Sequence, residues 1–336
     1  MTDPDRQPSP DRPSELLSEG SREDAIDALA RLETADADAR KRTIRTLQDL
    51  AETESSAFDE LATPLTTFLN DEERAIRLTT AKLFVALARS EPAVVRPVVD
   101  ALAARSADDE EFYYVRARCA EALGYVALDH PDAVSDPELL ADLRVRLSFD
   151  EPEVREKLAK ALAYVAIGDP SRLRHQVSSL AEHLDDDSEL VRYYLCTALA
   201  AIGCDHPSKL ADARDPLGQL LDDERPYVRG RAAEALGLLA RSGDADIRSL
   251  DGVDPDEGDA AAFVADRVRF LDAARDGETG EPADSTPDGV GTLASIRGET
   301  EAVVEAMTAS DDDCPHCGHT LAEGRPPVCP HCGAPL

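Results

Sequence analysis

Four cysteines near the C-terminus have the spacing of a metal site. They stand as two Cys-x-x-Cys pairs, Cys314-Pro-His-Cys317-Gly and Cys329-Pro-His-Cys332-Gly, separated by the eleven residues 318–328. Two such pairs bring four soft thiolates within reach of one tetrahedral ion, and in a reducing compartment that donor set points to zinc. Gly318 and Gly333 let the backbone turn tightly after each pair, while Pro315 and Pro330 stiffen the knuckles. Four thiolates complete the tetrahedron without His316 or His331, so no exchangeable position remains and the expected Zn2+ is structural. Residues 314–336 contain almost no core, so their folding should depend on the ion.

Little else in the chain has a pattern that does chemistry. There is no nucleophile elbow, P-loop or dinucleotide fingerprint. The three other cysteines, at 119, 196 and 204, sit singly in or beside helical patterns, and Asp129-His130-Pro131 and Asp205-His206-Pro207 read as loop punctuation. The balance of charge excludes more. With 69 acidic and 36 basic side chains, five of them Lys, the net charge is −33. Such an excess repels itself in dilute salt and suits a salty, halophilic cytoplasm, where screening is strong. It disfavours binding to nucleic acid, which depends on basic side chains neutralising phosphates. No apolar run approaches the ~18 residues needed to span a bilayer. The N-terminus, MTDPDRQPSPDRPSE, lacks a basic head and apolar core, so the reading is a cytoplasmic protein without a membrane partner.

The elements that must carry these residues repeat. The phrase Val154-Arg155 through Leu158, Ala159, Ala161 and Leu162 recurs after Ile76-Arg77, Val115-Arg116, Val191-Arg192 and Val228-Arg229, and more weakly after Ala39-Arg40. The arginine steps are 37, 39, 39, 37 and 37 residues, a period that signals a stacked helical array. Apolar residues at offsets +4 and +7 from each arginine mark one helical face, and the +4 column (Ile44, Ala81, Ala120, Ala159, Cys196, Ala233) is mostly small. The periodicity predicts paired helices. First members run about 22–33, 56–69, 92–105, 136–148, 171–184 and 208–221; second members run about 37–52, 72–89, 111–128, 151–167, 188–203 and 225–241. Asp71, Asp109, Asp150, Asp187 and Asp223 precede the second helices as candidate N-caps, and Ser21 opens a capping box with Asp24.

An Asp-bearing turn followed by Val-Arg-x-x-x-Ala-x-x-Leu every forty residues or so resembles HEAT repeats over about 22–241. The resemblance implies an all-α, right-handed α-solenoid of about six hairpins. It also implies that Arg77, Arg116, Arg155, Arg192 and Arg229 ladder with the aspartates of neighbouring repeats. The cysteine segment resembles the short zinc ribbons that end many archaeal and bacterial proteins, which implies one zinc on all four thiolates. Some HEAT-type proteins are di-iron hydroxylases with His-Glu ligand pairs and others resemble bilin lyases. This chain has no His-Glu dipeptide, and an enzyme is disfavoured.

The domain reading follows: 1–20 a disordered acidic, Pro-rich tail; 21–243 the solenoid; 244–312 an acidic linker with helices near 259–275 and 293–307; 313–336 the zinc ribbon. Offset +2 in the second helices reads Arg42, Thr79, Arg118, Lys157, Tyr194 and Arg231, a basic stripe expected on the concave side. Tyr113, Tyr114, Tyr193, Tyr194 and Tyr227 gather at the starts of the same helices. Tyr and Arg anchor many interfaces, so Tyr113, Tyr114, Arg118, Lys157, Tyr193, Tyr194, Tyr227 and Arg231 form the expected partner groove of a scaffold or adaptor; the other reading pairs Arg118 with Glu121 and Arg231 with Glu234 one turn on and leaves the tyrosines partly buried. Nucleic-acid regulation through the ribbon and the basic stripe is the alternative. Atomic emission of the purified chain should find one zinc per chain, and Cys332→Ser should release it; a metal-free wild-type chain would remove the ribbon.

Overall fold

The structure is a computed structural model that describes residues 12–148, 151–243, 247, 260–277, 289–308 and 328–329. Among the described residues every regular element is helical. The chain forms two compact units, residues 1–142 and 143–336. The first contains α1 (Arg12–Ser18), α2 (Arg22–Leu32), α3 (Ala37–Ala51), α4 (Ala62–Leu65), α5 (Arg74–Ser90), α6 (Pro92–Val95), α7 (Val99–Ala107) and α8 (Tyr113–Asp129). The division falls inside α9 (Pro137–Val145). The second contains α10 (Pro152–Gly168), α11 (Val177–Ala181), α12 (Glu189–Asp205), α13 (Arg214–Gln219), α14 (Pro226–Arg241), α15 (Ala261–Arg275) and α16 (Leu293–Thr308).

The long second helices stack on one another. In the first unit α3 packs on α5 and α5 on α8; in the second, α10 packs on α12, α12 on α14 and α14 on α15. The seam is the column of small residues at offset +4, with Phe84 or an aliphatic at +7, and all of these positions are buried. Removing each large apolar side chain from water contributes roughly 1.5–3 kcal/mol. The small +4 residues let neighbouring helix backbones approach.

The first helices are shorter and broken by 3-10 turns, as at Ser55–Phe58 and Thr66–Asn70 around α4, or at Arg96–Val98 between α6 and α7. Prolines inside these segments, Pro64, Pro97 and Pro216, lack the N–H an uninterrupted helix needs and crowd the preceding turn. Residues 12–18 depart from the expected unfolded tail. They form α1, whose Leu16 and Leu17, the one apolar pair of that segment, are buried. Ser21 precedes α2 without a side-chain cap.

Arginine and acid join the layers. Arg40 donates through Nε and Nη2 to Asp71 (2.7 and 3.1 Å) and through Nη1 to the Ala35 carbonyl of its own turn (2.6 Å). Arg192 repeats this with Asp223 (2.7 and 3.1 Å) and the Asp186 carbonyl (2.7 Å). Arg77 reaches Glu111 (2.7 and 2.9 Å), two residues beyond the expected Asp109. Arg155 reaches Asp186 (2.8 Å) rather than Asp187. Arg229 bonds the Asp223 carbonyl, and Arg116 bonds the Ser106 carbonyl at 3.4 Å with Asp109 at 4.0 Å; Asp150 lies outside the described residues. The acids are turn residues rather than N-caps. Asp71, Asp186 and Asp223 each accept the N–H two residues on, which aims the carboxylate back at the ladder arginine of the preceding repeat; Asp108 makes the same turn but pairs with Arg105 (3.0 Å). The hydrogen bond with Asp71 outweighs burial and raises the Arg40 pKa above its ordinary value.

Arg192 and Asp223 are 11% and 6% exposed, so the pair is well shielded. Arg192→Ala should lower stability by about 2–4 kcal/mol, and Arg192→Lys should recover less than half, because an ammonium cannot span both oxygens and the turn carbonyl. Urea unfolding of the three chains checks this; equal midpoints would remove the ladder as a source of stability.

Candidate functional site

The +2 stripe does not form an open groove. Arg118, Tyr194 and Arg231 are buried, as are Tyr114 and Tyr193; Tyr113, Lys157 and Tyr227 are half-buried, and Arg42 is exposed. In the first unit Arg118 is bonded to Glu121, one turn on (2.6 Å), and Phe112, Tyr113 and Tyr114 pack ring to ring, with centroids 4.4–5.3 Å apart. The guanidinium of Arg74 lies over Phe112.

In the second unit the cover is the chain's own downstream sequence. α15 lies along α14, and two glycines of α14 make room for it: a Cβ at Gly237 would come within 2.5 Å of the Phe270 ring, and one at Gly230 within 2.7 Å of Phe263. α16 lies on α12 and α10. Ile296, Thr300 and Val303 form one buried stripe, with Thr308 buried at the helix end, while much of the remaining surface faces solvent.

A buried ion cluster holds this arrangement. Arg231 and Glu234, one turn apart on α14, are both 0% exposed and 2.5 Å from each other. Arg231 also donates to the Tyr193 hydroxyl (3.0 Å) and pairs with Glu299 of α16 (2.9 Å). Arg267 of α15 bonds Glu234 (3.0 Å) and Glu299, and its guanidinium lies 3.4 Å from the Phe263 ring centre. The second oxygen of Glu234 accepts the Gly291 N–H at 2.8 Å, just before α16. A further contact joins Tyr164 of α10 to Glu301, its hydroxyl donating at 3.3 Å. Burial opposes ionisation of Glu234, but the guanidiniums of Arg231 and Arg267 overcome it and hold its pKa below the usual carboxylate value. Burial likewise disfavours charge on Arg231, yet Tyr193, Glu234 and Glu299 keep it protonated and raise its pKa.

The sequence pattern points to Arg231, Tyr193 and, through the Arg231-x-x-Glu234 spacing, Glu234, whose pairing with Arg231 is observed; it passes over the part played by Arg267, Phe263, Glu299 and Tyr164. Arg267 and Glu299 lie outside the repeat and carry no period. With Arg118 and Arg231 buried and ion-paired, the basic stripe has lost two of its members as contacts for a phosphate backbone.

Cys119, Cys196 and Cys204 are poor nucleophiles. Burial pushes the Cys119 and Cys196 thiols up, and that of Cys204 to about 12, so thiolate is scarce at neutral pH. Glu156, raised to about 7 chiefly by burial, accepts from the Ser188 hydroxyl (2.8 Å). Of the four expected zinc ligands, Cys329 is described and buried; Cys314, Cys317 and Cys332 lie outside the described residues.

Because the folded-state pKa of Glu234 is depressed, its carboxylate contributes stability that is present above the unfolded value and lost as pH falls through the folded one. Glu234→Gln should therefore cost about 3 kcal/mol at pH 7 and progressively less as pH falls below about 4.5. A pH-independent difference in urea midpoint would remove the ionised cluster as the cause.

Comparisons with known proteins agree with this architecture. The family described as HEAT repeats matches residues 177–260. No curated protein matches the chain. Among solved structures, an engineered protein from the Northeast Structural Genomics Consortium aligns at TM-score 0.60 and 19% identity, over 92% of this chain and 82% of that one. A designed armadillo repeat protein in complex with the peptide (KR)4 aligns at TM-score 0.56 and 20% identity, over 67% of this chain and 99% of that one. Another engineered protein aligns at TM-score 0.56 and 22% identity, over 65% and 97%. The chain has a repeat-helical, HEAT/armadillo-like α-solenoid fold.

Proposed function

We propose that this chain is a non-enzymatic, HEAT-type scaffold that binds a protein partner on the face of its second helices, with a C-terminal zinc ribbon as an auxiliary contact module. One observation supports the binding role above the rest. In the second unit that face already holds a peptide segment, α16, by reading its carboxylates with Arg231 and Tyr164, joined by Arg267 from the neighbouring α15. Such a surface recognises helices by charge and hydrogen bonding and not by apolar burial alone. The designed armadillo relative solved with (KR)4 is an instance of a similar fold taking a peptide. On this reading Cys314, Cys317, Cys329 and Cys332 hold one zinc as four thiolates, and the ion supplies a crosslink in place of a core. The compartment is cytoplasmic and saline, and partner binding tolerates salt because its contacts are shielded.

Accessible members of the expected groove are where the contact is tested. A photoreactive benzoylphenylalanine in place of half-buried Lys157 should crosslink a discrete protein in the native host. The same group at Ser178, exposed on the first-helix side in α11, should not. Equal crosslinking from both positions, or from neither, would remove the second-helix face as the binding surface.

A further inference from the structure

We infer that α16 is an internal ligand of the second unit, and that the partner which displaces it is an acidic helix presenting carboxylates where Glu299 and Glu301 now lie. This rests on the scaffold reading above and specifies the chemistry of what the scaffold takes.

The composition of the cluster carries the argument. Two guanidiniums, Arg231 and Arg267, are 0% and 2% exposed and share two carboxylates, Glu234 and Glu299. Glu234 belongs to the same helix as Arg231 and remains when α16 leaves; Glu299 does not. Without it the floor of the site holds two shielded cations against one anion. An unbalanced charge in so dry a setting demands a replacement anion. Two rings of hydroxyl-bearing tyrosine, at 193 and 164, supply further donors or acceptors beside it.

The seat of α16 suits exchange. α12 is buried over most of its length, whereas α16 presents one stripe inward. Glu299 is 27% exposed, so competing solvent and ligand reach the pairs from one side. An acidic helix also docks on a protein of net charge −33, which weakens its tenancy at low salt by repulsion from the rest of the chain. The recognition elements are therefore two acids two residues apart on a helix, with an aliphatic residue three before the first, as in Ile296, Glu299 and Glu301.

The test uses the full chain and a labelled synthetic peptide of residues 289–308. In the variant Ile296→Asp/Val303→Asp the internal helix is undocked by changes confined to α16. Fluorescence anisotropy in molar KCl should show the peptide binding this variant at least about tenfold more tightly than wild type, where the tethered copy competes. A peptide carrying Glu299→Gln and Glu301→Gln should bind the variant about tenfold more weakly than the parent peptide. Equal binding to both chains, binding to neither, or indifference to the glutamines would overturn the inference. So would dimerisation of wild type that the peptide abolishes, because the natural occupant would then be a second copy. Should the variant fail to fold, hydrogen exchange on wild type decides: amides of α16 should exchange well before those of α12, and exchange in step would overturn it. Crosslinking from Lys157 with a failed peptide experiment would leave the scaffold intact and remove only this partner chemistry.

Discussion

Three ladder arginines, Arg40, Arg77 and Arg192, each make two attachments, and the layers they join depend on both being made at once. Through Nη1, Arg40, Arg77 and Arg192 close their own turns on a backbone carbonyl; through Nε and Nη2, they grip the acid of the next turn. Asp71 and Asp223, in turn, are aimed by an N–H two residues downstream, and Glu111 by that of Phe112 next to it. A turn thus cannot change shape without disturbing the layer on either side. Stacked repeats contact only their neighbours, so stability is propagated link by link. The planar, five-donor guanidinium suits this task, which fits a chain holding 36 basic residues of which five are lysine.

The same side chain does a second job at Arg231. There it lies two positions after the ladder arginine, inside the protein, and ties α14 to α12 through Tyr193 and to α16 through Glu299. Full burial of an ion pair contributes little net stability compared with an apolar packing of the same shape. Its value is selectivity: a carboxylate of defined position satisfies the site, and an aliphatic side chain does not. A face that reads charge in this way is suited to holding one helix among many, and it differs in kind from the seam at offset +4, which is indifferent to anything but size.

Much of the scaffold was legible in the residues. The second helices could be placed because each carries a full turn-by-turn apolar stripe and ends in residues that resist continuation: α10, α12 and α14 run Pro152–Gly168, Glu189–Asp205 and Pro226–Arg241, close to the expected 151–167, 188–203 and 225–241. The first helices were less legible. Their apolar spacing is helical, but internal prolines divide them into α and 3-10 pieces, and which piece forms depends on what it packs against. The ladder acids of Arg77 and Arg155 are not the expected Asp109 and Asp187 for a related reason. Several acids stand in each turn, and only the local backbone decides which carboxylate points back; Glu111 and Asp186 occupy that place.

By itself the amino-acid sequence determined the period, the small-residue seam and the arginine column, because each is written in local spacing that physical chemistry constrains within a few turns of chain. Tertiary structure alone decided that Tyr193, Tyr194 and Arg231 are interior residues. A helical face looks free when only its nearest repeats are counted, and α15 and α16 arrive from more than thirty and sixty positions farther along. Nothing in a repeating pattern encodes a contact made outside the repeat, so the cover over that face, and the carboxylate it selects, emerge only when the distant segments are seen in place.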